Sequence, residues 1–341
     1  MFKETFPSDY FSQVPKVELH VHLDCSLSYE FVHKYRQELS ENDYKNEFIG
    51  PAKFRDLAHF LTYTGQQIEL MQNEQQLRSS LQDVIQQLIH DHVIYAEIRF
   101  APHLHIQKGL TAFDVTSILC NELEILNHQL GIQFGLILCT LRHFDSSKSM
   151  ETVELASHFQ GKGVVGFDIA GDEAGFNLKE HKEAFKKAHK DQIPITAHAG
   201  EAKGALSVWE TLAELKPKRI GHGVKSIQDS DLVQKLRSEH IHLEVCPSTN
   251  IQIDVFPTYL THPIDSLRKS GVSLSVNTDT RTITGINLAK EYAKLHQSFG
   301  WGIEQFFEVN KNALLASFTN SETKKTLIHK LEEGYRFFDK K

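Results

Sequence analysis

Short apolar runs rich in β-branched and aromatic residues recur along the chain at 17–23, 94–100, 134–140, 164–170, 195–199, 219–223, 242–246 and 273–277. Their length is that of buried strands. Between many of them lie amphipathic stretches; Leu77, Leu81, Val84, Ile85, Leu88 and Ile89 recur at helical spacing and present one apolar face. Alternating strands and helices imply right-handed crossovers and a parallel sheet, whose strands are covered on both faces and so read as near-continuous apolar runs. Eight of them predict an α/β fold closed into a (β/α)8 barrel, with a doubly wound open sheet as the competing arrangement.

The placement of polar residues favours the barrel. His20, His22, Arg99, Asp168, His198, His222 and Asp279 fall at or just beyond the C-terminal ends of strands, and in a barrel those ends meet at one mouth. The segment 28–91 predicts several helices inserted after strand 1. A helical C-terminal tail follows residue 286, with Leu327, Ile328, Leu331 and Tyr335 on one face. No low-complexity linker, charge block or fixed-period repeat divides the chain, so residues 1–341 are expected to form one domain. The G-x-G-x-x-G of Gly161, Gly163 and Gly166 precedes its strand, where a dinucleotide fingerprint follows one, and reads as a loop cluster.

Composition removes several function classes. With 37 Lys plus Arg against 44 Asp plus Glu, the net charge of −7 offers no positive field for phosphate backbones or anionic lipid. Neither nucleic acid nor membrane is an expected partner, and no protein partner is inferred. No run approaches the roughly 18 apolar residues of a membrane span. The opening MFKETFPSDYFSQ lacks the apolar core of a signal peptide, so a cytoplasmic protein is expected. The cysteines Cys25, Cys120, Cys139 and Cys246 are scattered without a C-x-x-C pair, which suggests neither a disulfide framework nor a thiolate zinc site.

The chemistry gathers in a few motifs. His20 and His22 form H-x-H on a strand, whose period of two sends both imidazoles to one side, where they can grip one ion. An isolated pair of this kind equally fits hydrogen-bonded core histidines. A second pair, His103 and His105, follows Pro102 in an expected loop and reads as mostly structural. His198 ends a strand, and Glu201 follows in a loop that can turn its carboxylate back over the same pocket, giving a metal ligand and a proton shuttle; alone, Gly200 and Glu201 also fit an ordinary strand-to-helix turn. Asp279, at the last strand's end, can complete three imidazoles around a divalent ion, or simply cap a turn. Zinc suits such a mixed nitrogen and oxygen set. His222, between Gly221 and Gly223, is ambiguous singly. Their coincidence at the ends of the first, fifth, sixth and eighth strands carries the argument, and no lysine is placed to bridge two metals, so one ion per chain is expected.

With these motifs in order, ELHVHLD (18–24), AGDE (Gly171 its glycine), HAGE (198–201), RIGHG (219–223), LEVCPSTN (243–250) and SVNTD (275–279), the chain resembles the adenosine deaminase family from about residue 15 to about 300. The resemblance implies the barrel fold, zinc held by His20, His22, His198 and Asp279, and hydrolytic deamination of adenosine, and of 2′-deoxyadenosine, to inosine and ammonia in purine salvage. It implies Glu201 as the proton donor and His222 as the residue that orients and helps deprotonate the attacking water. Asp24 then binds the ribose, and the Gly171 backbone contacts the purine.

Two positions depart from the family pattern. Thr280 stands where a second aspartate usually hydrogen-bonds purine N7; its hydroxyl can still donate one bond. Cys25 replaces the usual glycine after Asp24 and is read as a packing residue. Asp24, where family members acting on free adenine tend to carry Glu, favours a nucleoside. The alternatives are a modified adenosine or adenine as substrate, another zinc amidohydrolase-type reaction, and a binding protein that has lost catalysis. Glu201 argues against the last two.

Overall fold

All eight apolar runs are strands in the computed structural model, which describes residues 10–339, with side chains as far as Arg336. They are β1 Lys16–His22, β2 Val93–Phe100, β3 Gly135–Leu141, β4 Val164–Ala170, β5 Thr196–Ala199, β6 Arg219–His222, β7 His242–Val245 and β8 Leu274–Val276. Strands β1 to β4 pair in sequence order, as do β5 to β8, and every pair is parallel. Two seams join the halves. Phe167 on β4 bridges to Ile195 before β5, and Val21 on β1 bridges to Asp279 after β8. At the second seam the Asp279 N–H donates to His20 O at 2.8 Å, and the His22 N–H donates to Asp279 O at 2.7 Å. The first strand therefore meets the last, which closes the barrel and eliminates the open sheet.

The segment after β1 folds as helices Tyr29–Tyr35, Glu41–Glu47, Leu57–Leu61, Gly65–Glu69 and Glu74–His90. Four of these start where a polar side chain supplies an acceptor for an orphan amide: Ser28, Ser40, Asp56 and Asn73 each accept the N–H three residues on. In the last helix Leu77, Leu81, Val84, Ile85 and Leu88 are fully buried, the predicted face. The C-terminal tail runs through helices Leu288–Phe299, Ile303–Ala316 and Ser321–Asp339. Leu327, Leu331 and Tyr335 are buried there, with Ile328 packed against the core. Asn310 latches this tail to the barrel: its amide donates to the Tyr335 hydroxyl at 3.0 Å and its Oδ1 accepts the Val17 N–H of β1 at 2.7 Å.

The barrel interior carries ions as well as apolar side chains. Arg99 on β2 donates to Asp168 on β4 at 2.7 Å and to Glu244 on β7 at 2.6 Å. Arg219 on β6 joins Glu244 at 2.7 Å and Glu97 on β2 at 2.6 Å. All five are buried, so each charge is tolerated only because it is paired. Arg99 and Asp168 thus lie in a layer beneath the mouth that the sequence assigned them to, where they fix the residues above. The G-x-G-x-x-G glycines Gly161 and Gly163 sit in the turn before β4, as expected of a loop cluster. No helix among the described residues is long and apolar enough to cross a membrane; the first nine residues of the opening MFKETFPSDYFSQ, which bears on the cytoplasmic expectation, lie outside the described residues.

Candidate active site

At the C-terminal mouth, β1 presents His20 and His22, β5 presents His198, β6 ends in His222, and Asp279 follows β8. Donor atoms of His20, His198, His222 and Asp279 lie within 4.8 Å of one another. His22 joins them: its Nε2 is 3.3 Å from His198 Nε2 and 3.4 Å from Asp279 Oδ1. Four imidazoles and a carboxylate therefore converge, one imidazole more than the expected ligand set. Gly221 makes room for them, since a Cβ there would stand 3.0 Å from His20 Cε1 and 3.2 Å from the His198 ring.

Backbone strain is concentrated on two of these residues. His222 and Asp279 have φ of 60° and 63°, the left-handed region that costs a side-chain-bearing residue about 1–3 kcal/mol. At Asp279 the cost is offset by the two backbone bonds to β1 that close the barrel.

Hydrogen bonds from behind sort the imidazoles. His20 Nδ1 lies 2.8 Å from Glu244 Oε2, and His198 Nδ1 lies 3.1 Å from Asp168 Oδ2. A carboxylate only accepts, so both rings carry a proton on Nδ1, which leaves Nε2 as the nitrogen each turns to the centre, the one available to a metal. The buried His20 Nε2 has no hydrogen-bond partner of its own. Burial holds His198 below the usual imidazole range and His22 down to about 3, which keeps both neutral and available as ligands. The donor set fits a divalent ion.

Glu201 stands beside the cluster, its Oε1 3.5 Å from His222 Nε2. Burial, reinforced by the charges of Asp279 and Glu173, pushes its carboxyl well above the usual range, which favours the protonated form that a proton donor needs. The loop that holds it is clamped by Glu173, which the sequence reading overlooked although it belongs to the AGDE motif. Glu173 accepts the backbone N–H groups of Gly200, Glu201, Ala202 and Lys203 at 2.6–3.0 Å and the Ser207 hydroxyl at 2.5 Å. Gly200 makes the bend, at φ 69°, where a Cβ would collide with Val208 at 2.5 Å. Glu173→Gln puts an amide donor among five donors; turnover is expected to fall about tenfold or more with metal content retained. Steady-state kinetics with metal analysis checks this, and unchanged kcat would contradict it.

A cavity of about 50 Å³ opens onto the cluster, lined by His22, His198, Glu201, His222, Asp279, Thr280, Gly171 and Cys25, and roofed by Leu57, Phe60, Leu61 and Thr64 of the inserted segment. Thr280 Oγ1 is buried there without a partner. Cys25 packs with Phe54, Leu57 and Phe60 as expected, and also reaches the cavity wall. Asp24 lies beside the cavity and not in its lining, accepting the Ala101 N–H at 3.3 Å and facing His105 at 3.5 Å. The second H-x-H is therefore divided: His105 touches a predicted site residue, whereas His103 faces Glu151 at 3.6 Å.

A parallel barrel gathering imidazoles, a carboxylate and a second, buried acid at its C-terminal mouth defines the class of metal-dependent barrel hydrolases. Within that class the chain belongs to the adenosine deaminase family, whose model matches residues 15–334. It is 33% identical over 326 residues to the adenosine deaminase of Clostridium acetobutylicum, covering 94% of this chain and 97% of that one. The fold is shared with the adenine deaminase of Arthrobacter aurescens, at a TM-score of 0.86 and 22% identity over 94% of this chain and 98% of that one. It is shared as well with an amidohydrolase from Burkhoderia ambifaria that contains bound Zn, at a TM-score of 0.88 and 19% identity over 98% and 93%.

Proposed function

We propose that this protein hydrolyses the 6-amino group of adenosine, yielding inosine and ammonia, with one zinc ion held by His20, His22, His198 and Asp279. The observation that carries the reading is Glu201, a buried carboxyl 3.5 Å from His222 beside a cluster of imidazoles and a carboxylate able to hold a metal. Zinc in the related amidohydrolase supports the choice of metal, and bound zinc lowers the pKa of water toward about 7, supplying a nucleophile at neutral pH. Glu201 gives its proton to the ring nitrogen next to C6, which makes C6 electrophilic. His222, whose Nε2 lies 4.0 Å from Asp279 Oδ2, orients the attacking water. The water oxygen bonds to C6, its remaining hydroxyl proton passes to the amino group, and as the tetrahedral carbon collapses to the carbonyl the C6–N bond breaks and ammonia leaves, the ring nitrogen keeping the proton from Glu201.

The remaining residues hold the substrate. The unpartnered Thr280 hydroxyl donates to purine N7, the Gly171 backbone meets the purine, and Asp24 binds the ribose. Leu57, Phe60 and Leu61 of the inserted segment supply the apolar wall of the cavity against which the purine lies. Four buried free cysteines fit action in the reducing cytoplasm.

A panel of adenosine, 2′-deoxyadenosine, adenine and 5′-modified adenosines, assayed for ammonia release, tests the substrate. Adenosine is expected to have the highest kcat/KM. Preference for adenine, the substrate named for one structural neighbour, would move the substrate and leave the chemistry; silence on all four would overturn the reading.

A further inference from the structure

Behind His222 runs a chain of hydrogen bonds unlike those behind the metal-facing imidazoles. It begins at a group with no choice of direction. The backbone N–H of Ile264 donates to His262 Nδ1 at 3.2 Å, so the His262 proton must sit on Nε2. That Nε2 lies 3.2 Å from Asn250 Oδ1 and donates to it, which fixes the amide: turned over, it would set N–H against N–H. Asn250 Nδ2 therefore faces His222 Nδ1, at 3.2 Å, and donates. An imidazole that accepts on Nδ1 carries its proton on Nε2. Asn250, His262 and His222 are all buried, so no water is at hand to take over any of these bonds. Burial also holds His262 down to about 3, which keeps it in the neutral form the chain requires.

Taking the proposed reaction as its basis, we propose that Asn250 and His262 are positioning residues that lock His222 as an Nε2–H donor. The consequence is a division of labour among imidazoles whose ligand atoms lie within 4.8 Å of one another. His20 and His198, backed by carboxylates, turn bare nitrogens to the metal. His222, backed by an amide N–H, turns a proton to the attacking water. It is thereby kept out of the metal's coordination sphere, although its nitrogen is close enough to enter, and it orients the water by donating to it. The deprotonating part that the family resemblance suggested for His222 would need a bare Nε2 and a proton on Nδ1, facing the Asn250 N–H.

The test reads the tautomer directly. In the zinc-loaded protein labelled with ¹⁵N-histidine, the His222 resonances, assigned by their absence in His222→Gln, are expected to show a protonated Nε2 and a bare Nδ1. The opposite pattern overturns the proposal, whatever the substrate proves to be. Asn250→Asp replaces the donor by an acceptor of the same shape. It is expected to exchange the two resonances and lower kcat about tenfold or more, with KM within about threefold and zinc content unchanged. His262→Gln, which keeps an N–H toward Asn250, is expected to hold kcat within about threefold, and His262→Leu to lose about tenfold. Equal losses in the two would indicate packing alone and reject the relay. Where a variant fails to fold, the wild-type spectrum decides.

Discussion

Replacing Glu201 by glutamine is expected to lower kcat by about 10²-fold or more while zinc and ligand binding survive. The two side chains have nearly the same shape, and Glu173 holds the loop through backbone N–H groups that the exchange leaves in place. What disappears is the acidic proton. Glutamine can donate a hydrogen bond to a ring nitrogen but cannot transfer the proton, so ground-state binding is spared and the transition state is not. Parallel measurement of kcat, zinc content and binding of inosine checks this. Near-normal turnover would remove Glu201 from its role, and loss of zinc would show that the residue supports the metal site instead.

The second large effect concerns the metal. His20→Ala removes a donor that no neighbour replaces and leaves the buried Glu244 carboxylate without the ring it accepts from. Metal analysis is expected to show loss of most of the zinc, and activity should fall with it, since changes even to partners behind the ligands typically cost about 10–100-fold in affinity. A variant with full zinc occupancy would show that His20 is not a ligand. His222→Ala provides the contrast: because its Nε2 carries the proton, zinc content should remain while turnover falls.

The sequence carried the barrel because parallel strands covered on both faces must be apolar almost throughout, and each of the eight runs is such a strand. It also carried the convergence of His20, His22, His198, His222 and Asp279, since strand ends in a barrel share one mouth. It did not carry the sorting of the four imidazoles. That depends on Glu244 and Asp168, which approach the rings from other strands, and on Asn250, which does so from the helix Pro247–Gln252, at separations no spacing rule spans. Glu173 escaped for the same reason: a carboxylate before a glycine-rich loop has no local signature of the four amides it will collect. His105 was read as loop structure, because only the folded turn brings it to Asp24. The AGDE and PSTN motifs hold Glu173 and Asn250 within them, so asking what each polar residue of a matched motif touches would have found both.

If this chain deaminates adenosine by means of a metal held at the barrel mouth, its activity must follow that metal. The most direct measurement is the conversion of adenosine to inosine, followed by ammonia release, in protein stripped by chelation and then restored with one equivalent of zinc. Turnover abolished by stripping and recovered at one zinc per chain is the predicted result. Turnover that survives complete removal of metal, or none on adenosine with zinc restored, would contradict it.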